Sequence, residues 1–411
     1  MTDLHVPQRI PHPVVYLVLI LPFGAVNGYL TVALAYSLSQ SGMSVASVGL
    51  LIALFFIPQT WKFLWAPIVD TTLSRKGWYV IGASLSALGV VAMSVFAVHA
   101  SDVPVLSVFV VVASLATTFL GMSVESLMAH DTPDSQKGRA AGWFQAGNLG
   151  GSGLGGGAAL WLAQAVPVPW VTGGALAICF MLCCGALWFI AEPLHTQRKQ
   201  SIGRKLVDVL QDLWQVSRSR SGYLALLLVF LPIGSGAASN LWSAAANDWH
   251  ASAHTVELVT GAMSGIVSAI GCLIGGYVCD RYNRKSTYIF YGCLLVLCAL
   301  GMAFAARTEV KFVEFTMAYA FVNGLGYAGF SAVTLEAIGQ GAAATKYNVF
   351  ASLSNMPIAY LTALEGWAHG RWGASGFLFV DAGLGVVGIV VFTVVVALTA
   401  RPPVPIGAEA L

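Results

Sequence analysis

Long apolar stretches separated by short polar turns run the length of this chain. They predict helical spans at 13–37, 45–66, 78–98, 104–128, 139–164, 168–191, 222–246, 255–279, 287–307, 312–337, 347–369 and 375–399. Each is long enough to cross about 30 Å of hydrocarbon as a helix. A membrane barrel would show alternating segments of about ten residues, whereas these runs are continuous. In lipid every backbone polar group needs an internal partner, so the spans are helices. One long polar segment, 192–221, divides them into two sets of six.

The two sets resemble each other. Leu21-Pro22-Phe23-Gly24 returns as Leu231-Pro232-Ile233-Gly234, 210 residues later. Asp70 returns as Asp280 at the same offset, and basic pairs follow each, Arg75-Lys76 and Arg284-Lys285. A membrane topology repeated at half the chain length points to two lobes with a path between them. The expected fold is therefore an all-α polytopic membrane protein, with twelve transmembrane helices in two six-helix pseudo-symmetric bundles. The expected divisions are 1–191, a cytoplasmic linker at 192–221, and 222–411. Within the linker, apolar residues of 202–216 recur at steps of three and four, which predicts a surface helix.

Composition agrees. Hydrophobic residues make up 57% of the chain and charged residues 9%, against about 25% charged in a soluble domain. Sixteen of the twenty Lys and Arg fall in the segments that share a side with the N-terminus, while Arg307, Lys311 and Arg371 fall opposite. By the positive-inside rule both termini and the linker are expected in the cytoplasm, and the membrane is expected to be the cell inner membrane. No basic cluster with interleaved aromatics suggests nucleic acid. The seven cysteines lie in or at the ends of apolar runs, without zinc spacing, and read as packing residues.

Gly276-Tyr277-Val278-Cys279-Asp280-Arg281-Tyr282-Asn283-Arg284-Lys285 resembles the G-x-x-x-D-R-x-G-R-R/K signature of the major facilitator superfamily. Asn283 stands where glycine is usual, and both residues tolerate positive φ in a tight turn. Lys62-Phe63-Leu64-Trp65-Ala66-Pro67-Ile68-Val69-Asp70 resembles the K-F-L-W-x-P-x-x-D phrase of AmpG-type muropeptide permeases, acetyl-CoA transporters and siderophore permeases. The stretches 155–163 and 344–367 are similar to further parts of that group. Enterobacterial muropeptide permeases of this type carry two further C-terminal spans, whereas this chain stops soon after Arg401. The siderophore-type relatives are therefore a serious rival.

The resemblance implies a conformational latch. Asp70 and Asp280 would meet the positive end of a helix in the other lobe, with Arg75, Lys76, Arg281, Arg284 and Lys285 pairing acids at helix ends. Glu125 and Glu336, 211 residues apart, are either proton carriers or ion-paired members of that latch. Lys62 lies inside a span. It snorkels to headgroups, attracts an anionic group of the solute, or pairs with an intramembrane acid. Glu365 and Asp381 are proton-coupling candidates, or else acids facing an outer vestibule. Gly147, Gly151 and Gly155 form a small-residue face that lets another helix approach closely. The first, fourth, seventh and tenth spans line the path in this superfamily. They supply the candidates Asn27, Tyr29, Asn240, Trp242, Asn323 and Tyr327, and the fifth span adds Gln145 and Asn148.

No Ser/His/Asp or Cys/His set suggests an enzyme. His250 and His254 are too few for a metal site, and no phosphate-binding G-x-x-x-x-G-K-[ST] is present. Neither cofactor nor ATP is expected. The sequence thus reads as a gradient-driven, proton-coupled importer of a mid-sized polar solute such as a muropeptide or siderophore, working as a monomer in the bilayer. The alternatives are a drug or metabolite efflux antiporter and a non-transporting receptor.

Overall fold

The structure, a computed structural model, describes residues 12–96, 103–131, 137–166, 168–191, 220–338 and 349–398, with single positions in 203–218. At 70–71, 129–131, 137–142, 220–221, 225 and 335–338 it describes the backbone alone. No strand occurs among the described residues. In the first bundle α1 spans Val14–Gln40, α2 Val45–Leu64, α3 Arg75–Phe96, α4 Val103–Asp131, α5 Lys137–Ala165 and α6 Pro169–Phe189. In the second, α7 comes in two pieces, Arg220–Phe230 and 237–249, followed by α8 Ala253–Arg281, α9 Arg284–Phe304 and α10 Glu309–Ile338. The stretch Val349–Leu398 turns at Gly373, φ 68°, which separates α11 (349–372) from α12 (374–398). Of the linker helix, Arg204, Val207, Gln211, Trp214 and Arg218 are helical and exposed. Its apolar positions Ile202, Leu206, Val209, Leu210 and Leu213 lie outside the described residues.

Among the described residues eight helices are long and apolar enough to cross a membrane, with α11 and α12 counted as one. The passages below that standard are α5, α7 and α10. α7 falls short by length because its chain breaks, while α5 with its glycine face and α10 with Asn323 fall short in apolarity.

Packing repeats between bundles. Contacts of α2 with α4, α3 with α4, and α3 with α6 return as α8 with α10, α9 with α10, and α9 with α12. The bundles meet along α2–α11, α5–α8 and α1–α7. The end at which α1 begins and α6 and α12 finish is called the basic end, and the other the opposite end.

The expected glycine face of α5 packs on α1. A Cβ built at Gly151 would stand 2.5 Å from the Leu21 carbonyl oxygen, and one at Gly155 2.7 Å from the Ala25 Cβ. From the other side, a Cβ at Gly28 would stand 1.9 Å from the Ser152 carbonyl oxygen. Because that neighbour is backbone, it yields only if α1 and α5 separate. Gly28→Ala is expected to cost about 1–3 kcal/mol or more. The check is a lowered thermal midpoint of the purified protein, with Gly150→Ala unchanged, since a Cβ at Gly150 meets nothing within 4 Å.

The two Leu-Pro-x-Gly phrases fold differently. Pro22 stays inside helical α1, which continues through a π-helical turn at Tyr29–Leu34. Pro232 lies in a true break of α7, with Gly234 at φ 61° and Gly236 at φ 65°. The break frees carbonyls that would be costly in lipid. Tyr360 Oη donates to the Phe230 carbonyl at 3.0 Å and Tyr288 Oη to that of Ile233 at 2.5 Å. Tyr79 of α3 likewise donates to the Leu19 carbonyl of α1 at 2.9 Å, so this brace is repeated in both bundles.

Asn283 does not take positive φ. It has φ −60° and ψ 117°, and its side chain accepts from the Ser286 N–H at 3.1 Å, which makes it the N-cap of α9. Capping is a common use of Asn at a helix start, and it replaces the expected turn conformation.

Candidate functional site

The Lys62 phrase reads as two opposed faces. Lys62–Leu64 is a 3₁₀ turn, in which residues three apart eclipse. Gln59, Lys62 and Trp65 therefore line up, and all three meet α4. Gln59 Nε2 donates to Thr117 Oγ1 at 2.9 Å, Lys62 Nζ to Glu125 Oε1 at 2.9 Å, and Trp65 Nε1 to Thr118 Oγ1 at 3.0 Å. Phe63 points the other way and packs with Val229 of α7 and with Val349, Phe350 and Leu353 of α11. The side chains of Lys62 and Glu125 are 14% and 22% exposed. Of the three roles open to Lys62, this conformation has it paired with an intramembrane acid.

The latch residues are dispersed. Lys76 Nζ donates to the Ile190 carbonyl just past the end of α6 at 2.6 Å, a helix-end contact within its own bundle. Arg75 opens α3 and Arg284 opens α9. Arg281 stacks over Tyr277, 4.2 Å from the ring centroid. Asp280 is exposed and makes no ion pair among the described residues, nor does the half-buried Lys285. Of Asp70 and Glu336 the structure describes the backbone alone.

Among the path candidates, Asn27 Nδ2 donates to Ser152 Oγ at 3.2 Å, and Asn148 Nδ2 to Gln145 Oε1 at 3.4 Å. In the second bundle Asn240 Nδ2 donates to Thr362 Oγ1 of α11 at 3.1 Å. Asn323 lies under the α7 break, where a Cβ at Gly236 would stand 2.3 Å from its Oδ1. Tyr327 is 45% exposed although mid-helix in α10. Two candidates are core residues in this conformation. Tyr29 is buried in the main apolar cluster, and Trp242 packs edge-on to Tyr319 and Phe377.

Glu365 and Asp381 come together. Asp381 Oδ2 accepts from Tyr319 Oη at 3.1 Å. Glu365 is 0% exposed, neither of its oxygens meets a donor, and the carboxyl it faces is that of Asp381. One turn nearer the opposite end, His369 Nε2 lies 2.6 Å from Asp248 Oδ2. Arg307 stacks over Trp249 at 4.4 Å.

Sequence reasoning missed Gln59, Tyr319, Thr362 and the paired tyrosines. A signal existed for the last, since Tyr79 and Tyr288 stand 209 residues apart, close to the repeat offset.

Two six-helix bundles with polar helices at their junction define a multi-pass membrane transporter fold. The family model of the Major Facilitator Superfamily matches residues 16–359, and the chain belongs to that superfamily. No curated protein sequence matches it significantly. Among solved structures it is similar to the nucleoside transporter NupG, with TM-score 0.72, 13% identity, and coverage of 94% of this chain and 99% of that one. It is also similar to a D-xylose-proton symporter, with TM-score 0.69, 14% identity, and 92% and 96% coverage. A partially occluded inward-open form of the xylose transporter XylE from E. coli gives TM-score 0.70, 13% identity, and 95% and 99% coverage. At such identities the likeness establishes the fold.

Proposed function

We propose that this chain is a proton-coupled secondary transporter that imports a mid-sized polar solute, of the muropeptide or carboxylate-siderophore kind, across a bacterial inner membrane. One observation carries the reading. The bundles meet through small residues while amides and a tyrosine stand on the helices around the junction. Gly49 and Gly366 face each other across α2–α11, and Gly153 and Gly157 face Gly261 and the Glu257 carbonyl across α5–α8. Such smooth contacts can part and re-form, as alternating access requires. Asn27, Asn148, Asn240, Asn323 and Tyr327 suit hydrogen bonding to a polar solute.

Lys62 bounds the charge of that solute. With its ammonium paired to Glu125, little positive charge is left to compensate a polyphosphate. One or two carboxylates are tolerable. The resemblance of the Lys62 phrase to importing permeases favours uptake over efflux.

The test is accumulation in inside-positive and inside-negative vesicles, with and without a proton gradient. Labelled anhydro-muropeptide and a labelled ferric carboxylate siderophore are the probes. Gradient-dependent accumulation of one is expected. Binding of either without accumulation under any gradient would turn the reading to a receptor.

A further inference from the structure

We infer that Glu365 and Asp381 form one proton-binding site, and that its occupancy decides whether the two bundles can close at the opposite end. This deepens the proton-coupled reading above by naming where the proton sits and what it controls.

The geometry is that of a hairpin. Gly373 turns α11 into α12; Glu365 stands eight residues before it and Asp381 eight after, so the two reach the same depth. Asp381 already accepts from Tyr319, and Glu365 has no donor at all. Two carboxylates facing each other with no cation between them repel, and with both residues buried, Glu365 fully and Asp381 nearly so, water screens them poorly. One proton resolves this. Bound to the pair, it lets one carboxyl donate to the other, and the remaining charge is held by the Tyr319 hydroxyl. The other titratable or charged groups nearby are Cys298 on α9 and, toward the opposite end, His369 with its partner Asp248 and Arg307, which donates to Ser375 of α12. From α2 the residues nearest Gly366 and Gly370 of α11 are Val45, Ala46 and Gly49, and 45–61 holds no titratable residue.

The link to closure lies on α11 itself. The face next to Glu365 carries Thr362 and Gly366. A Cβ at Gly49 would stand 2.9 Å from the Thr362 carbonyl oxygen and 3.2 Å from the Gly366 Cα. α11 is thus held between α2 of the first bundle and the carboxyl pair of its own. Loss of the proton leaves an unpaired charge pair that needs water. Water reaches it only if α11 shifts from its seat, which opens the α2–α11 contact. The site therefore loads from the opposite-end medium while that end is open, and closure follows loading.

Infrared spectroscopy of the purified, substrate-free protein tests the site. At neutral pH a protonated-carboxyl band is expected, lost in Glu365→Gln and shifted in Asp381→Asn, where a neutral amide replaces the carboxylate as the proton's acceptor. Spin labels at the opposite ends of α1 and α7 test the coupling. Their separation should be short at acid pH and lengthen as pH rises in the wild type, and stay short at all pH in Glu365→Gln. If Glu365→Gln fails to fold, Asp381→Asn supplies both readouts. Absence of the band, or a pH response in the variants identical to that of the wild type, overturns the inference. Both measurements omit solute, so a failure to accumulate either probe would leave them readable.

Discussion

A short cleavable cross-link between Gln40→Cys and Asn247→Cys is expected to abolish uptake, and cleavage of the linker to restore it. Gln40 ends α1 and Asn247 lies near the end of α7, 207 residues on, so the two copies of the repeat touch each other here. Gln40 Nε2 donates to Asn247 Oδ1 at 2.8 Å, and one residue earlier Ser39 Oγ donates to the Ala244 carbonyl at 2.6 Å. Both cross-linked positions are exposed, which suits the reagent. In an alternating-access cycle this contact breaks and re-forms once per turnover, on the microsecond-to-millisecond scale of domain motion. A covalent tie stops every cycle, so the loss is complete rather than fractional. Variants carrying only one of the two substitutions, treated alike, should retain uptake. Full transport by the cross-linked protein would show that the bundles need not part at this end.

Much of the fold was legible in the sequence because membrane spans are local: length and apolarity need no tertiary information. The break in α7 was legible only in half. Both copies of the repeat carry Leu-Pro-x-Gly, yet one bends and one does not. The difference lies two residues on, where the counterpart of Gly236 is Val26. A β-branched residue does not tolerate φ near +65°, so α1 keeps its helix. Gly24 is pressed against the Asn148 carbonyl of α5, which leaves that segment no room to swing out.

The partnerships within the candidate site were less legible. Glu125 and Lys62 lie 63 residues apart, and nothing in either helix alone says which faces of α2 and α4 meet. The pairing of Glu365 with Asp381 was within reach, since equal spacing on either side of a hairpin glycine puts two residues at one depth. Reading each acid against its own helix hid it. Tyr29 and Trp242 show the converse: a position on a path-lining helix does not say which side of that helix it occupies.

The Lys62–Glu125 pair yields the last prediction. Lys62→Met leaves Glu125 partly buried without its cation, and Glu125→Gln leaves Lys62 without its anion. Breaking a fully buried pair by removing one partner costs roughly 3–5 kcal/mol. With 14% and 22% of the side chains exposed, a loss at or below the lower limit of that range, about 2–3 kcal/mol, is expected for each single variant. The double variant Lys62→Met/Glu125→Gln leaves no unpaired charge and should recover most of the wild-type thermal midpoint, because replacing a buried pair with neutral groups of similar volume is often near neutral. Transport should fall together with stability. The pair anchors the 3₁₀ turn from which Phe63 reaches into the other bundle between Val229 and Phe350. A loosened turn moves Phe63 and disturbs the contact between bundles, so each single variant should lose uptake by tenfold or more, about 1.4 kcal/mol in transition-state terms, and the double should regain it. A Lys62 that served only to attract an anionic solute would behave differently. Its replacement would weaken solute binding at unchanged stability, and the second substitution would rescue nothing. Thermal midpoints and uptake in the four proteins separate these outcomes.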